Sequence, residues 1–342
     1  GSQPGTAGGQ GTAGGQGTAG GQGTAGGQGT VGGVLATGMA GPRRLRYGTP
    51  RDLAIGITVV RADGVVAHSG GKVVKNVAGY DLGKLFAGSY GTLGIIAEAA
   101  FRLHPVPAAA AWVSVDGASP AAAQDIMATA VDSPLSPSAA EIDRPSRDGP
   151  VRAAVLIEGD VAGVAERAAQ LAGLLGAGAA VSDQAPGWWG RSGAPRGDGT
   201  LIRIAFWAGE LAALLAALDG AATAAGLDPA VGGAGAAGVL HAELPVTAAP
   251  AAVAQFVTAL RSAPPLGAAE SNGAGGVGAG GGTRAGTGGP PRGSVIVLEA
   301  PPDVRAALDV WGPVPSAELM RAVKDQFDPG HRMAPGRFAG GI

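Results

Sequence analysis

Cysteine is absent from the 342 residues, and aromatic residues make up only 4% of them. Without cysteine, the chain cannot form disulfides, thiolate zinc sites or its own iron–sulfur ligands. With so few aromatic side chains, small aliphatic residues must fill much of any core. The hydrophobic content of 46% is still enough to bury a core of reasonable size.

A surplus of basic residues is also missing, because 24 Lys and Arg stand against 26 Asp and Glu, for a net charge of −2. Nucleic-acid binding therefore has no electrostatic support. The sequence contains no uninterrupted apolar run of membrane-spanning length. Its best candidate is broken by Glu210 and Asp219, so no transmembrane span is expected.

Glycine is concentrated in two segments of the chain. Residues 5–28 are four copies of Gly-Thr-Ala-Gly-Gly-Gln, which carry no large apolar side chain. Such a repeat cannot build a core, so residues 1–28 are predicted to be a low-complexity linker. The second segment, 267–293, is predicted to be a disordered Gly-rich loop for the same reason.

Periodic patterns between these segments predict regular structure. Asp63-Gly64 separates two apolar, β-branched runs and indicates a hairpin, and residues 72–87 have the apolar spacing of a helix. Beyond residue 107, strands are predicted at 112–115, 151–158, 201–207, 239–244 and 294–299, and helices at 120–131, 161–175, 210–225, 251–261 and 318–327. This pattern predicts an α+β fold in which helices cover one face of a sheet.

Two glycine-rich segments lie about 60 residues apart, Thr30-Val31-Gly32-Gly33 and the stretch from Gly88 to Gly94. Both are predicted to be turns. Glycine lets the backbone approach a ligand closely, and consecutive free N–H groups can hold a phosphate. Taken alone, each segment is more often just an ordinary turn than a ligand-binding one. If both serve one ligand, they must converge in space.

The combination of these segments with further motifs is much more specific than either alone. The accompanying motifs are Gly41-Pro42-Arg43-Arg44, Tyr47-Gly48, Arg51-Asp52, Lys75-Asn76 with Ala78-Gly79-Tyr80-Asp81-Leu82, and near the C-terminus Trp311-Gly312-Pro313, Lys324, Phe327-Asp328-Pro329 and Ala334-Pro335-Gly336-Arg337-Phe338. Over residues 29–105 the chain resembles the FAD-binding subunits of bacterial glycolate oxidase. These subunits carry a flavin-binding domain of the p-cresol methylhydroxylase/vanillyl-alcohol oxidase type.

The resemblance implies a fold, a domain organisation and a cofactor site. Residues 29–106 would be the second half of the flavin-binding domain, and 107–342 an α+β C-terminal domain with an antiparallel sheet plus helices. The cofactor would be FAD, with no metal. The residues that the resemblance assigns to FAD are Thr30, Val31, Gly32, Gly33, Arg44, Tyr47, Gly88, Ser89, Gly91, Thr92, Gly94, Ile95 and Ile96.

The function implied is the oxidation of a small 2-hydroxy acid, glycolate by resemblance, in which the flavin accepts a hydride from the α-carbon. The partners implied are a second flavoprotein and an iron–sulfur subunit. The complex would be cytoplasmic and could meet the inner face of the membrane through those partners. No catalytic base is assigned, because the four histidines are far apart in sequence and show no metal-ligand spacing.

Two alternatives remain open at this stage. Members of the family carry an upstream subdomain whose Gly-rich loop holds the pyrophosphate, and the repeats do not resemble it. The sequence is therefore interpreted as N-terminally truncated, and weak FAD binding is expected. One alternative is thus a non-catalytic scaffold subunit that binds partner chains. The other is a different FAD-linked dehydrogenase of the lactate type.

Overall fold

A computed structural model describes residues 29–71, 81–191, 198–267 and 292–342. The predicted linker at 1–28 lies outside the described residues, as does most of the predicted Gly-rich loop. The two ends of that loop are described. There the Arg292 N–H donates to the Gly267 carbonyl oxygen at 3.2 Å.

The first part of the chain forms a small antiparallel sheet with strand order β2-β1-β3. Its strands are β1 Ala54–Val60, β2 Val66–Gly70 and β3 Ile95–Phe101. The Asp63-Gly64 turn joins β1 to β2, which confirms the predicted hairpin. One face of the sheet packs on a compact core of five buried side chains, namely Leu35, Ile57, Val59, Phe86 and Leu93.

The first part of the chain also contains four short helices, α1 Val31–Thr37, α2 Arg44–Tyr47, α3 Pro50–Leu53 and α4 Gly83–Phe86. One sequence prediction is corrected here. Residues 30–33 do not form a glycine turn, because they begin helix α1. Of the helix predicted over 72–87, residues 72–80 lie outside the described residues, and the described remainder contains α4.

The second part of the chain is built on an eight-stranded antiparallel sheet with strand order β11-β8-β10-β9-β5-β6-β4-β7. The strands are β4 Ala109–Ala118, β5 Ala139–Arg144, β6 Val151–Gly159, β7 Ala179–Ser182, β8 Thr200–Ala205, β9 Ala230–Ala234, β10 Val239–Leu244 and β11 Ser294–Glu299. Helices α5 Pro120–Asp132, α6 Val161–Leu175, α7 Leu211–Ala225 and α8 Pro250–Ser262 accompany it.

The two faces of the large sheet differ in chemistry because side chains alternate along each strand. On β6, for example, Val155 and Ile157 join the main hydrophobic core, which the four helices cover. Arg152 and Glu158, which occupy alternate positions along the same strand, point to the opposite face. The prediction of an α+β fold with helices on one face is confirmed, and the opposite face carries buried polar groups.

The periodic elements were predicted closely, including α6, β10 and β11 at their observed bounds. Three strands were missed, β5, β7 and β9. Strand β5 contains three charged residues, and β9 contains Gly232 and Gly233, so neither shows the alternation of a half-buried strand.

Helix α7 with the 3₁₀ turn before it, Ala208–Ala225, is long and apolar enough to span a membrane by length and composition alone. Here it is a core helix. Leu211, Leu214 and Leu218 are fully buried. The carboxylate of Asp219 accepts two hydrogen bonds from Arg144, at 2.7 and 3.1 Å.

The chain then returns to its first part. Helices α9 Pro302–Ala307 and α10 Ala317–Phe327 follow β11. Val323 and Phe327 of α10 pack against the small core around Phe86, with the Phe86 and Phe327 ring centroids 5.6 Å apart. The predicted unit 107–342 therefore contributes its C-terminal end to the structure formed by residues 29–106.

Candidate functional site

Helix α1 starts directly after the predicted linker. Thr30 is its N-cap, and the Thr30 hydroxyl accepts a hydrogen bond from the Gly33 N–H at 2.9 Å. The helix ends at Gly38, whose left-handed backbone (φ 67°) suits glycine. Leu35 is fully buried, whereas Val31 on the first turn is exposed. The helix thus presents its N-terminal end to solvent.

The segment from Gly88 to Gly94 is a tight turn, as predicted. Gly88, Tyr90 and Gly91 all have positive φ, at 80°, 56° and 78°. The buried hydroxyls of Ser89 and Thr92 donate to the carbonyl oxygens of Phe86 and Ser89, at 2.8 and 2.7 Å. These two side chains therefore stabilise the turn itself and are not available to a ligand.

Helix α1 and the turn lie directly against each other. The Gly88 N–H donates to the Leu35 carbonyl at 2.9 Å, and the Tyr90 N–H donates to the Ala36 carbonyl at 2.8 Å. A side-chain carbon added at Gly32 would lie 3.5 Å from the Ile96 carbonyl oxygen. The predicted convergence of the two glycine-rich segments is confirmed.

The turn offers fewer free amides than the resemblance implied. The N–H groups of Gly88, Ser89, Tyr90 and Thr92 all donate to carbonyl oxygens within the protein. A Cβ at Gly91, as at Gly88, would meet no atom within 4 Å, so the surface beside the turn is open there. The turn therefore suits close approach of a ligand at Gly91 better than a full ring of amide donors.

Apolar surface flanks the two segments. The side chains of Val31 and Ile95 are 65% and 59% exposed. Together with the open space at Gly91, they provide the kind of exposed apolar surface that a flavin ring system could contact. The residues present thus fit FAD in chemistry, although Ser89 and Thr92 would contribute no side-chain hydrogen bonds.

The buried ammonium of Lys324 holds the turn from beneath. Lys324 Nζ donates to the Thr92 carbonyl at 2.7 Å, to Asp328 Oδ2 at 2.6 Å and to the Met333 carbonyl at 2.9 Å. All three donors of this ammonium are thereby satisfied. The C-terminal motif containing Lys324 and Asp328 therefore has a structural role in supporting the turn.

The tail also packs on the turn through an aromatic cluster of Tyr90, Trp311 and Phe338. The ring centroids of Tyr90 and Trp311 are 5.0 Å apart, and those of Tyr90 and Phe338 are 5.7 Å apart. Both C-terminal motifs that carry the resemblance are therefore brought to the Gly88–Gly94 turn. No local sequence signal connects them, because they are more than 200 residues away.

Arg44 and Tyr47 on helix α2 are placed differently. Helix α2 contacts β5 and the 3₁₀ turn Gly235–Ala237, so it faces the large sheet. The preceding Arg43 donates two hydrogen bonds to the buried carboxylate of Glu158, at 2.7 and 3.0 Å. The Tyr47 ring packs against His104 with a centroid distance of 4.8 Å. These residues connect the first part of the chain to the polar sheet face.

One row of residues crosses five strands on that face. Arg203, His241, Gly232, Asp143 and Arg152 are successive Cα partners from β8 to β6. Arg152 pairs with Asp143. The sequence gives no indication of this row, because its members are separated by 9 to 89 positions and come together only through strand pairing.

Two groups on the polar face have strongly shifted pKa values. Burial raises the pKa of Glu141 to about 7, with Asp143 adding to the rise and the Gly190 N–H opposing it from 2.8 Å. Burial lowers the pKa of His241 to about 4, assisted by Arg203 and Arg44. His241 is therefore neutral at pH 7. In the described part of the chain, no group of three or more His, Asp or Glu side chains could hold a metal ion.

Curated proteins similar to this chain match it over about a fifth of its length. Glycolate oxidase subunit GlcD of Bacillus subtilis is 55% identical over 67 residues, or 20% of this chain and 14% of that protein. Glycolate oxidase subunit GlcE of Escherichia coli is 45% identical over 76 residues, or 22% of each. The predicted resemblance to FAD-binding glycolate oxidase subunits is confirmed. The chain nevertheless covers less than a quarter of the length of either relative.

The names of other similar proteins include a different substrate, D-lactate. A D-lactate dehydrogenase of Archaeoglobus fulgidus is 47% identical over 72 residues, which is 21% of this chain and 16% of that protein. The comparisons point to FAD as the cofactor, as predicted, and the names of these relatives are those of oxidases and dehydrogenases of 2-hydroxy acids. No family model matches the chain.

Solved structures with a similar fold match most of this chain. An alkyldihydroxyacetonephosphate synthase matches with a TM-score of 0.54 at 16% identity, covering 88% of this chain and 56% of that one. A chitooligosaccharide oxidase matches with a TM-score of 0.51 at 16% identity, covering 87% and 68%. At this level of identity the likeness concerns architecture, and it extends across both parts of the chain.

Proposed function

We propose that this chain is the FAD-binding subunit of an enzyme that oxidises a small 2-hydroxy acid, with glycolate as the substrate. The observation that carries the proposal is the contact between helix α1 and the Gly88–Gly94 turn. Two hydrogen bonds from the turn to Leu35 and Ala36 join these segments. They are also the segments that the resemblance assigns to FAD.

When bound, FAD would accept a hydride from the α-carbon of the substrate. In this proposal Gly32, Gly91 and Ile95 form the surface that orients the flavin, and Lys324 keeps the turn in position. The polar face of the large sheet, reached through Arg43 and Arg44, contributes the substrate-binding groups. The proposed partners are a second flavoprotein and an iron–sulfur subunit, and the proposed location is the cytoplasm. An iron–sulfur partner fits a chain without cysteine, because electrons would then leave the flavin through another subunit.

Lactate is the second candidate substrate, because D-lactate dehydrogenases match this chain at 48% identity over 75 residues and 47% identity over 72 residues. The experiment is to supply FAD to the purified chain, remove unbound FAD by desalting and record the visible spectrum. Glycolate, D-lactate and D-2-hydroxyglutarate are then tested for bleaching of the flavin band without oxygen. Flavin that glycolate bleaches fastest supports the proposal. The absence of any change in the FAD spectrum when the chain is titrated with excess FAD, before desalting, contradicts it.

A further inference from the structure

We propose that Arg44, Arg203 and His241 form a binding site for the 2-hydroxy carboxylate group of the substrate. The two guanidinium groups would hold the carboxylate, and the imidazole of His241 would hydrogen-bond to the adjacent hydroxyl. This inference rests on the proposed function, because it names the residues that would recognise the proposed substrate class.

The three residues come from three different elements and influence one another electrostatically. Arg203 on β8 and His241 on β10 are direct Cα partners, so their side chains leave the same face of the sheet. Helix α2 packs over that face through β5 and the 3₁₀ turn, which brings Arg44 within electrostatic reach of Arg203 and His241. Gly232 is the next Cα partner of His241 in the same row.

Arg44 and Arg203 differ from the neighbouring arginines in their ion pairing. Arg43, Arg144 and Arg152 each pair with a carboxylate, namely that of Glu158, Asp219 and Asp143 respectively. Among the residues that the structure describes, no carboxylate forms an ion pair with Arg44 or Arg203. Two partly buried cations therefore face each other without a bound anion from the protein.

The electrostatics of each group agree with this geometry. Burial lowers the pKa of Arg44, Arg203 lowers it further, and Asp52 has only a smaller opposing effect. His241 Nδ1 is buried without a hydrogen-bond partner in the described part of the chain. An anion between the guanidinium groups would relieve their repulsion, and paired guanidinium groups match the geometry of a carboxylate. A neutral imidazole beside them suits a hydroxyl rather than a second charge.

The test is isothermal titration of the full chain, supplied with FAD, with glycolate, acetate and glycolamide at pH 7. Glycolate carries both groups, acetate only the carboxylate and glycolamide only the hydroxyl. We expect glycolate to bind tightest and glycolamide not to bind. Arg203→Gln and Arg44→Gln should each weaken glycolate binding by about tenfold or more. Arg102→Gln, which changes an exposed arginine elsewhere, is the matched control and should leave binding unchanged.

His241→Gln should reduce the preference for glycolate over acetate to about onefold to twofold while acetate binding persists. Thermal unfolding without ligand checks folding, and the two arginine variants should melt no lower than the parent because a like-charge contact is removed. Glycolate binding that survives in both arginine variants would overturn the inference. If the parent chain binds no FAD, the proposed function is overturned instead. The effect of the two arginine variants on glycolate binding still decides the inference in that case.

Discussion

Lys324 Nζ donates a 2.7 Å hydrogen bond to the carbonyl oxygen of Thr92, 232 residues earlier in the chain. The Lys324 side chain is only 1% exposed, and that of its partner Asp328 is fully buried. Through this bond, the C-terminal helix α10 fixes the turn that is assigned to the cofactor. The structure around the small sheet is therefore completed by residues from both ends of the described chain.

Replacing Lys324 should be strongly destabilising. Lys324→Met leaves the buried Asp328 carboxylate without its cation, and breaking such a pair costs about 3–5 kcal/mol. The control is Lys84→Met, because Lys84 forms an ion pair with Asp81 in which both side chains are about half exposed. That change should cost less than about 1 kcal/mol. Urea unfolding measures both free energies, and similar values for the two variants would contradict the assigned role.

Asp328 should make the protein sensitive to acid. Burial alone would raise its pKa, but hydrogen bonds from Lys324 and from the Arg332 and Met333 amides hold the pKa at about 2. The folded pKa is thus below the unfolded value, so its stabilisation is present above pH 4 and is lost as the pH falls toward 2. The loss should be roughly 2 kcal/mol. Stability curves should show this drop in the parent chain and a much flatter response in Asp328→Asn.

The contribution of Glu141 to stability should depend on pH in the opposite direction. Its folded pKa of about 7 exceeds the unfolded value, so its stabilisation is full below about pH 4.5 and is lost as the pH rises to 7. Glu141→Gln should therefore stabilise the protein at pH 8, by roughly 3 kcal/mol at most. The glutamine can still accept the Gly190 N–H. Unfolding at pH 5 and pH 8 provides the measurement, and an equal effect at both pH values would count against the prediction.

Gly91 should be important for flavin binding beyond its effect on stability. Gly91→Ala and Gly64→Ala both place a side chain at positive φ, with open space around the new carbon. Each should cost about 1–2 kcal/mol in folding. Only Gly91→Ala should weaken FAD binding, by about tenfold or roughly 1.4 kcal/mol. Fluorescence titration with FAD compares the two variants, and equal loss of affinity would remove Gly91 from the site.

Much of the fold could be predicted because its signals are local. Helix α6 shows one continuous apolar face, and β10 and β11 show period-two alternation, so their bounds were found from the sequence. Strands β5 and β9 were missed because β5 is rich in charged residues and β9 in glycine. Their residues become strand residues through pairing with neighbours on both sides, and a local pattern does not contain that information.

The sequence by itself determined the resemblance, the cofactor class and the two glycine-rich segments, since these depend on short motifs whose residues are contiguous. Only the tertiary structure decided that Thr30–Gly33 start a helix, that Lys324 supports Thr92, and that Arg203 faces His241. The last two of these relationships join groups that are distant in sequence. Packing and strand register fix them, because the free energy that holds a buried cation or a polar row comes from neighbours that the local chain does not supply.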